Sequence, residues 1–200
     1  MKTREWLKYF DDQGDAGKHL YRLTELANAA GVPRATVNVE MHRLFKHGVV
    51  ERYAVGLYGL KDKVSAEELV PQLDPYAYIT AGYVLMKSGL VTQMPATMTC
   101  FTSRRHFKNE INTPVGRFAF VCVKPPIYNL TPGGMACPEQ ALCDFVYISL
   151  RRGTNPMSMV TFRRTEQMNR TVLARYLRRY PRTVTDVITR LWKSVDVVCR

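Results

Sequence analysis

Residues 24–58, TELANAAGVPRATVNVEMHRLFKHGVVERYAVGLY, carry the pattern that decides the fold of the N-terminal part. Thr24 is a natural N-cap, and Leu26, Ala27 and Ala30 follow it at helical spacing. Gly31 breaks that helix, because glycine reaches positive φ without a steric cost. A second helix is expected to begin near Pro33, run through His47 and stop at Gly48. Ala27, Gly31, Val37, Met41, Leu44 and Gly48 then have separate duties. The small residue lets two helices approach, the glycine turns the chain, and the apolar stripe docks the second helix on the first. The opposite face shows Arg34, Thr36, Asn38 and Arg43, donors fit for phosphates and base edges. Beyond it, Val49–Ala54 and Leu57–Tyr58 are β-prone runs around Val55 and Gly56, as a tight hairpin requires.

Working outward, Trp6, Leu7 and Phe10 form the apolar face of an earlier helix, and Leu20–Leu23 supplies a short strand to pair with the hairpin. This order resembles winged helix-turn-helix regulators. The resemblance implies duplex DNA as a partner. Contacts would come from Thr24, Arg34, Ala35, Thr36, Asn38, Arg43 and Lys46 on the helices, and from Arg52 and Tyr53 on the hairpin. Tyr58 and Leu60 are expected to pack inward. Glu40 departs from the pattern, standing where such regulators usually carry a small apolar residue. Three readings of it stay open: half exposure, pairing with Arg43 or Lys46, or acceptance from a cytosine amino group.

Hydrophobic residues make up 46% of the chain and charged residues 23%, which describes a folded protein and not a disordered one. The opening residues lack the apolar core of a signal peptide. No stretch approaches the roughly eighteen apolar residues of a membrane span, so a cytoplasmic protein with no membrane partner is expected. The five cysteines, Cys100, Cys122, Cys137, Cys143 and Cys199, are odd in number and include no Cys-x-x-Cys pair. Buried free thiols are the expectation. His42 and His47 are a poor metal pair, being five apart on a helix, and neither a metal nor another cofactor is expected.

The formal charge of +12 is unevenly spread. Residues 1–62 hold ten basic and eight acidic side chains, residues 63–150 seven and six, and residues 151–200 twelve and three. The excess therefore lies at the C-terminal end, away from the paired helices. A basic surface there favours nucleic acid or an acidic protein partner, through Arg151, Arg152, Arg175, Arg178 and Arg179.

Residues 63–75 read as a charged linker with one helical turn. After it, Ala77–Ser88 is expected as a helix stopped by Gly89, and Thr97–Thr102 and Arg117–Val123 as strands on either side of a polar excursion. Met135–Cys137 is a candidate short strand. Pro138 opens a helix that carries Leu142, Phe145, Val146 and Ser149 on its buried face and ends at Gly153. Two more helices are expected over 166–180 and 184–195, separated at Pro181.

Four segments, YITAGYVLMKSGLVTQMP (78–95), TSRR (102–105), ACPEQALCD (136–144) and VTFR (160–163), are similar in their order to the AbiEi-type antitoxins. The third looks like that family's Pro-Glu-Lys-Ala-Leu-x-Asp helix start, with Gln140 in place of the common lysine. The resemblance implies an N-terminal domain that binds inverted repeats in its own promoter and represses transcription. It also implies a C-terminal domain that neutralises a cognate nucleotidyltransferase-like toxin, in a type IV arrangement that need not require a stable complex; direct contact stays open. The expected architecture is α+β: a winged helix-turn-helix domain over 1–62, a linker over 63–75 and a mixed α/β antitoxin domain over 76–200.

An enzyme is not expected. Thr131-Pro132-Gly133-Gly134 lacks the following Lys-Ser/Thr of a phosphate-binding loop. Glu139 and Asp144 lie about 140° apart round one helix and do not converge as a catalytic pair. Glu139 is read as a helix-start residue, and Asp144 as a partner for Arg151 or Arg152. The alternative to an antitoxin is a stand-alone regulator whose C-terminal domain senses a small ligand.

Overall fold

A computed structural model describes residues 2–198, with side chains as far as Leu191. The fold is α+β, and the chain divides into two units, Met1–Leu73 with Asn112–Gly116 and Asp74–Ile111 with Arg117–Arg200.

In the first unit, α1 (Thr3–Asp15) starts where the Lys2 backbone N–H donates to the Glu5 carboxylate at 2.7 Å. Trp6 and Phe10 stack with ring centroids 5.8 Å apart and are buried, whereas Leu7 is 38% exposed. Leu7 thus leaves the apolar face assigned to it, since one residue along a helix turns the side chain by about 100°. Next come β1 (Leu20–Arg22) and α2 (Leu23–Ala30). Gly31, at φ 62°, ends α2: its N–H bonds to Asn28 and that of Val32 to Ala27, a Schellman turn. α3 (Arg34–Lys46) ends in the same way, with Gly48 at φ 69° and Val49 bonded back to Leu44 at 3.0 Å. Val37, Met41 and Leu44 pack into one core with Phe10, Leu23, Leu26 and Ala27.

Thr24 is not the cap of α2. That position falls to Arg22, in extended backbone, and the free N–H of Leu23 is satisfied instead by the Gly56 carbonyl at 2.9 Å. Thr24 lies exposed within the first turn. Strands β2 (Val50–Ala54) and β3 (Leu57–Leu60) form a hairpin, and β1 adds to it antiparallel in the order β1-β3-β2.

The stretch read as a linker is folded. α4 (Ala66–Leu73) opens with a reciprocal cap, Glu68 N–H to Ser65 Oγ at 3.2 Å and Ser65 N–H to Glu68 Oε2 at 3.3 Å. Val64, Ala66, Leu69 and Val70 are buried, and Arg22 donates to both the side chain and the backbone carbonyl of Gln72.

Glu40 has a partner outside its own helix. Its carboxylate accepts the indole N–H of Trp6 at 2.5 Å, tying α3 to α1 across the core. Removing that acceptor strands a buried donor. Glu40→Ala should therefore lower the stability of the first unit by about 1–3 kcal/mol, read as a shift in urea midpoint, without changing sequence preference on DNA. A loss of discrimination at unchanged stability would restore the base-reading role.

The second unit starts with β4 (Ala77–Thr80), all four residues buried, and turns at Ala81 into α5 (Gly82–Lys87). The single helix expected over 77–88 is thus a strand followed by a shorter helix. β5 (Met98–Thr102), β6 (Glu110–Thr113) and β7 (Gly116–Cys122) complete a sheet of order β4-β5-β7-β6. β4 and β5 are antiparallel, β5 and β7 parallel, and Met135 adds an isolated parallel bridge to Ile79. α6 (Pro138–Arg151) is buried at every residue from Glu139 to Val146, so it has no single buried face. It is surrounded by α5, the short α7 (Pro156–Met159), α8 (Arg170–Leu177) and α9 (Arg182–Val198). Residues 165–167 form a 3-10 turn, and Asn169 then caps α8, so the helix expected from 166 begins later.

Two buried carboxylates organise this unit. Asp144 on α6 accepts from Tyr180 at 2.6 Å and from Thr80 at 2.7 Å. Neither Arg151 nor Arg152 reaches it; both are exposed past the end of its burial. The Tyr78 hydroxyl lies near the same carboxylate, buried and without a well-formed hydrogen bond among the described residues. Asp74 accepts from Thr102 at 2.6 Å, pairs with His106 at 2.9 Å and takes the Tyr76 N–H at 2.9 Å. Glu139 is a helix-start residue as read, and it also accepts the Asn169 N–H at 2.8 Å.

Candidate nucleic-acid interface

The docked stripe of α3 fixes what its other side displays. On an ideal helix at about 100° per residue, Arg34 and Asn38 fall on one flank, and Thr36 and Arg43 on the other. Between them lie Ala35, Val39, His42 and Lys46, all exposed, with Val39 51% accessible. The four donors expected on one face are therefore two pairs on two flanks. A helix seated in a groove with this side down would offer Ala35, Val39 and His42 to the floor and the two donor pairs to opposite walls. Val39 and His42 did not stand out in the sequence because neither is a strong donor. Their position opposite Val37, Met41 and Leu44 is the signal that identifies them.

The start of α3 is open. Pro33 occupies the cap position without a side-chain hydrogen bond, and no acidic residue sits in the first turn. The positive end of the helix dipole, with its leading N–H groups, is left to favour an anion. Beside it stands the hairpin turn. A methyl group placed on Gly56 would lie 3.5 Å from an Arg34 terminal nitrogen, so the guanidinium spans from helix to turn. Val55, at the tip, is 88% exposed.

Of the two hairpin residues expected to touch DNA, Arg52 is exposed and its Nε approaches the Ala54 carbonyl at 3.4 Å. Tyr53 is not available. It is 3% exposed, and its hydroxyl has two acceptors within reach, the Glu51 carboxylate at 3.1 Å and the Leu60 carbonyl at 3.3 Å. Its ring lies beside Gly59 with Val64, on the face of β2 that it shares with Glu51, and the register against β3 shifts between Arg52 and Ala54. Tyr58 is buried and Leu60 half-buried, as expected.

In the second unit the basic candidates separate. Arg151, with its guanidinium 6.0 Å from the Tyr147 ring centre, and Arg152 line an open groove. Arg175 and Arg178 are exposed on and just after α8. Arg179 is withdrawn from partner contact. It donates to the Pro126 carbonyl at 2.9 Å, the Asn129 side chain at 2.8 Å and the Tyr128 carbonyl at 2.8 Å. Gln140 holds the same loop from the other side, donating to the Asn129 carbonyl at 2.9 Å and accepting from Thr131 at 3.2 Å. A lysine there could donate but not accept.

Cys100 and Cys143 are buried, which pushes both thiols well above their ordinary range. Cys122 and Cys137 are half-buried free thiols, and Cys199 lies outside the described residues. Among the described residues no three His, Cys, Asp or Glu side chains converge as a metal site, and no helix is long and apolar enough to cross a membrane. The sequence matches no protein-family model, and a search of curated proteins finds no match.

Proposed function

We propose that the chain is a DNA-binding autorepressor and antitoxin, acting in the cytoplasm against a cognate nucleotidyltransferase-like toxin. The first unit is read as a winged helix-turn-helix. One observation carries this reading: the exposed side of α3, opening at Arg34, stands next to the hairpin turn at Gly56 while its other side is locked in the core. That juxtaposition suits a helix in the major groove with a wing on the adjacent backbone. The antitoxin half rests on the order of the four C-terminal segments resembling the AbiEi-type antitoxins, and whether the toxin is touched directly is part of the test.

The alternative, a stand-alone sensor of a small ligand, calls for an enclosed apolar pocket with a few polar groups. One groove of the second unit is open and rimmed by arginines, which suits a charged partner better than a small apolar ligand.

Asn38→Ala should relax discrimination among operator variants by about 1–3 kcal/mol, if its amide pairs with an adenine edge. Gel-shift titration of single-base operator variants reads this, and unchanged discrimination would move Asn38 to a backbone contact. The wider reading is tested by co-expressing the chain with the product of the adjacent reading frame. Rescue of growth, together with repression of the shared promoter, supports it. Repression without any rescue would leave a regulator alone.

A further inference from the structure

We infer that the second unit carries a binding surface for single-stranded nucleic acid, formed by the loop 103–109 and the cationic groove that this loop rims. The inference does not depend on the first unit being a DNA reader.

The groove has a volume of about 1440 Å³. That exceeds the roughly 300–1,000 Å³ of small-molecule pockets, and a polymer suits it better. Arg105, Lys124, Arg151 and Arg152 line it, exposed and without an ion pair among the described residues. Glu110 is the one carboxylate among the described lining residues. Four exposed cations against one acid, with the internally bonded Arg179 as a fifth, give a charge balance that suits a phosphate backbone.

Charge alone would suit an acidic protein equally. The loop decides between them. Ser103-Arg104-Arg105-His106-Phe107-Lys108-Asn109 contains no acid and presents Phe107 fully exposed. Its base is fixed, because His106 is held by Asp74 at 2.9 Å and stacks on Phe120 at 4.7 Å. Arg104 is stacked on the Tyr76 ring at 3.8 Å. The ring beside these anchors stands fully in water, between His106 and Lys108 in the chain. A single exposed phenylalanine is commonplace on a protein surface. One interleaved with arginine and lysine beside a cationic groove has the arrangement of a stacking platform. Paired bases have no free π-face to give it, whereas an unpaired base does.

The test uses the full chain and fluorescence anisotropy with oligouridylate and oligothymidylate of about twelve nucleotides, and a mixed-sequence duplex of the same length. Phe107→Ala should weaken single-strand binding by about five- to a hundredfold and leave duplex binding unchanged, while Phe107→Trp retains it. Arg151→Ala with Arg152→Ala should flatten the dependence of log affinity on log salt by about 1.4 in slope. Asn38→Ala, in the other unit, should leave single-strand binding unmoved. A preference for the ribo- or the deoxy-oligomer would identify which single strand is the ligand. Wild-type chain that ignores both single strands overturns the inference. So does Phe107→Ala that binds them normally, or that loses single strand and duplex alike.

Discussion

Raising the pH from about 3 to about 8 should weaken the second unit by about 4 kcal/mol through Asp144 alone. Burial pushes this carboxyl from the ordinary 3.8 up to about 7, against the hydrogen bonds from Tyr180 and Thr80 that favour its charged form. Between those two values the unfolded chain has released a proton that the folded chain keeps. The contribution is therefore complete below about pH 4 and is lost as the pH rises through 7. Asp74 behaves in the opposite sense. Burial would raise it, but the bonds from Thr102, His106 and the Tyr76 N–H outweigh that and hold it below 3.8, so its contribution is lost only as the pH falls under that value. Urea unfolding of the wild-type chain and of Asp144→Asn at pH 4.5, 6 and 8 isolates the Asp144 share. The difference between the two should change with pH, in favour of the asparagine form at pH 8. Parallel stabilities across that range would mean that Asp144 is ionised in the folded state.

The same carboxylate illustrates which parts of the molecule could be read in advance. Local signals were legible: the glycine stops at Gly31 and Gly48, the apolar stripe Val37-Met41-Leu44, and Pro138 opening α6 are written within a few residues of the structure they cause. Asp144 invited a nearby arginine, yet its partners lie on β4 and just beyond α8. Arg179 likewise looked like surface charge, because the three oxygens it serves are some fifty residues away in sequence. Long-range pairing of this kind leaves no local pattern. β4 was hidden for another reason. Ala77–Thr80 is buried on both faces, so it lacks the alternation that marks a half-buried strand. The break after it falls on Ala81, at φ 56°, where no glycine announces a turn. α4 was announced, by the Ser65–Glu68 cap, but the surrounding charge made the stretch resemble a linker.

The candidate interface divides in the same manner. Its helical face followed in part: the stripe that docks α3 was legible, but the donors read as one face divide between two flanks around Ala35, Val39, His42 and Lys46. Its hairpin did not follow fully, because Tyr53 is buried beside Gly59 together with Val64, which belongs to the stretch read as a linker. Phe107 and the groove were invisible, as the groove joins the loop 103–109, β7, α6 and the loop after β7 only once the chain is folded.

Gly59→Ala should be the most damaging small substitution in the first unit, costing more than about 3 kcal/mol. Gly59 sits at the centre of the three-stranded sheet, opposite Leu20 on one side and Glu51 on the other. A methyl group there would stand 2.6 Å from the His19 carbonyl oxygen, 2.6 Å from a Val64 methyl and 3.0 Å from the Tyr53 ring. The carbonyl is backbone and cannot turn aside, so β1 would have to leave β3. Gly56→Ala is the informative companion. It has open contacts of 3.5 Å or more, but its φ of 71° sets a left-handed strain of about 1–2 kcal/mol. Hydrogen exchange of the β1 and β3 amides separates the two. Gly59→Ala should lose protection across both strands, and Gly56→Ala only near the turn. Equal protection in the two variants would mean that the sheet yields at Gly59, and that close packing around this glycine is not what sets the hairpin beside α3.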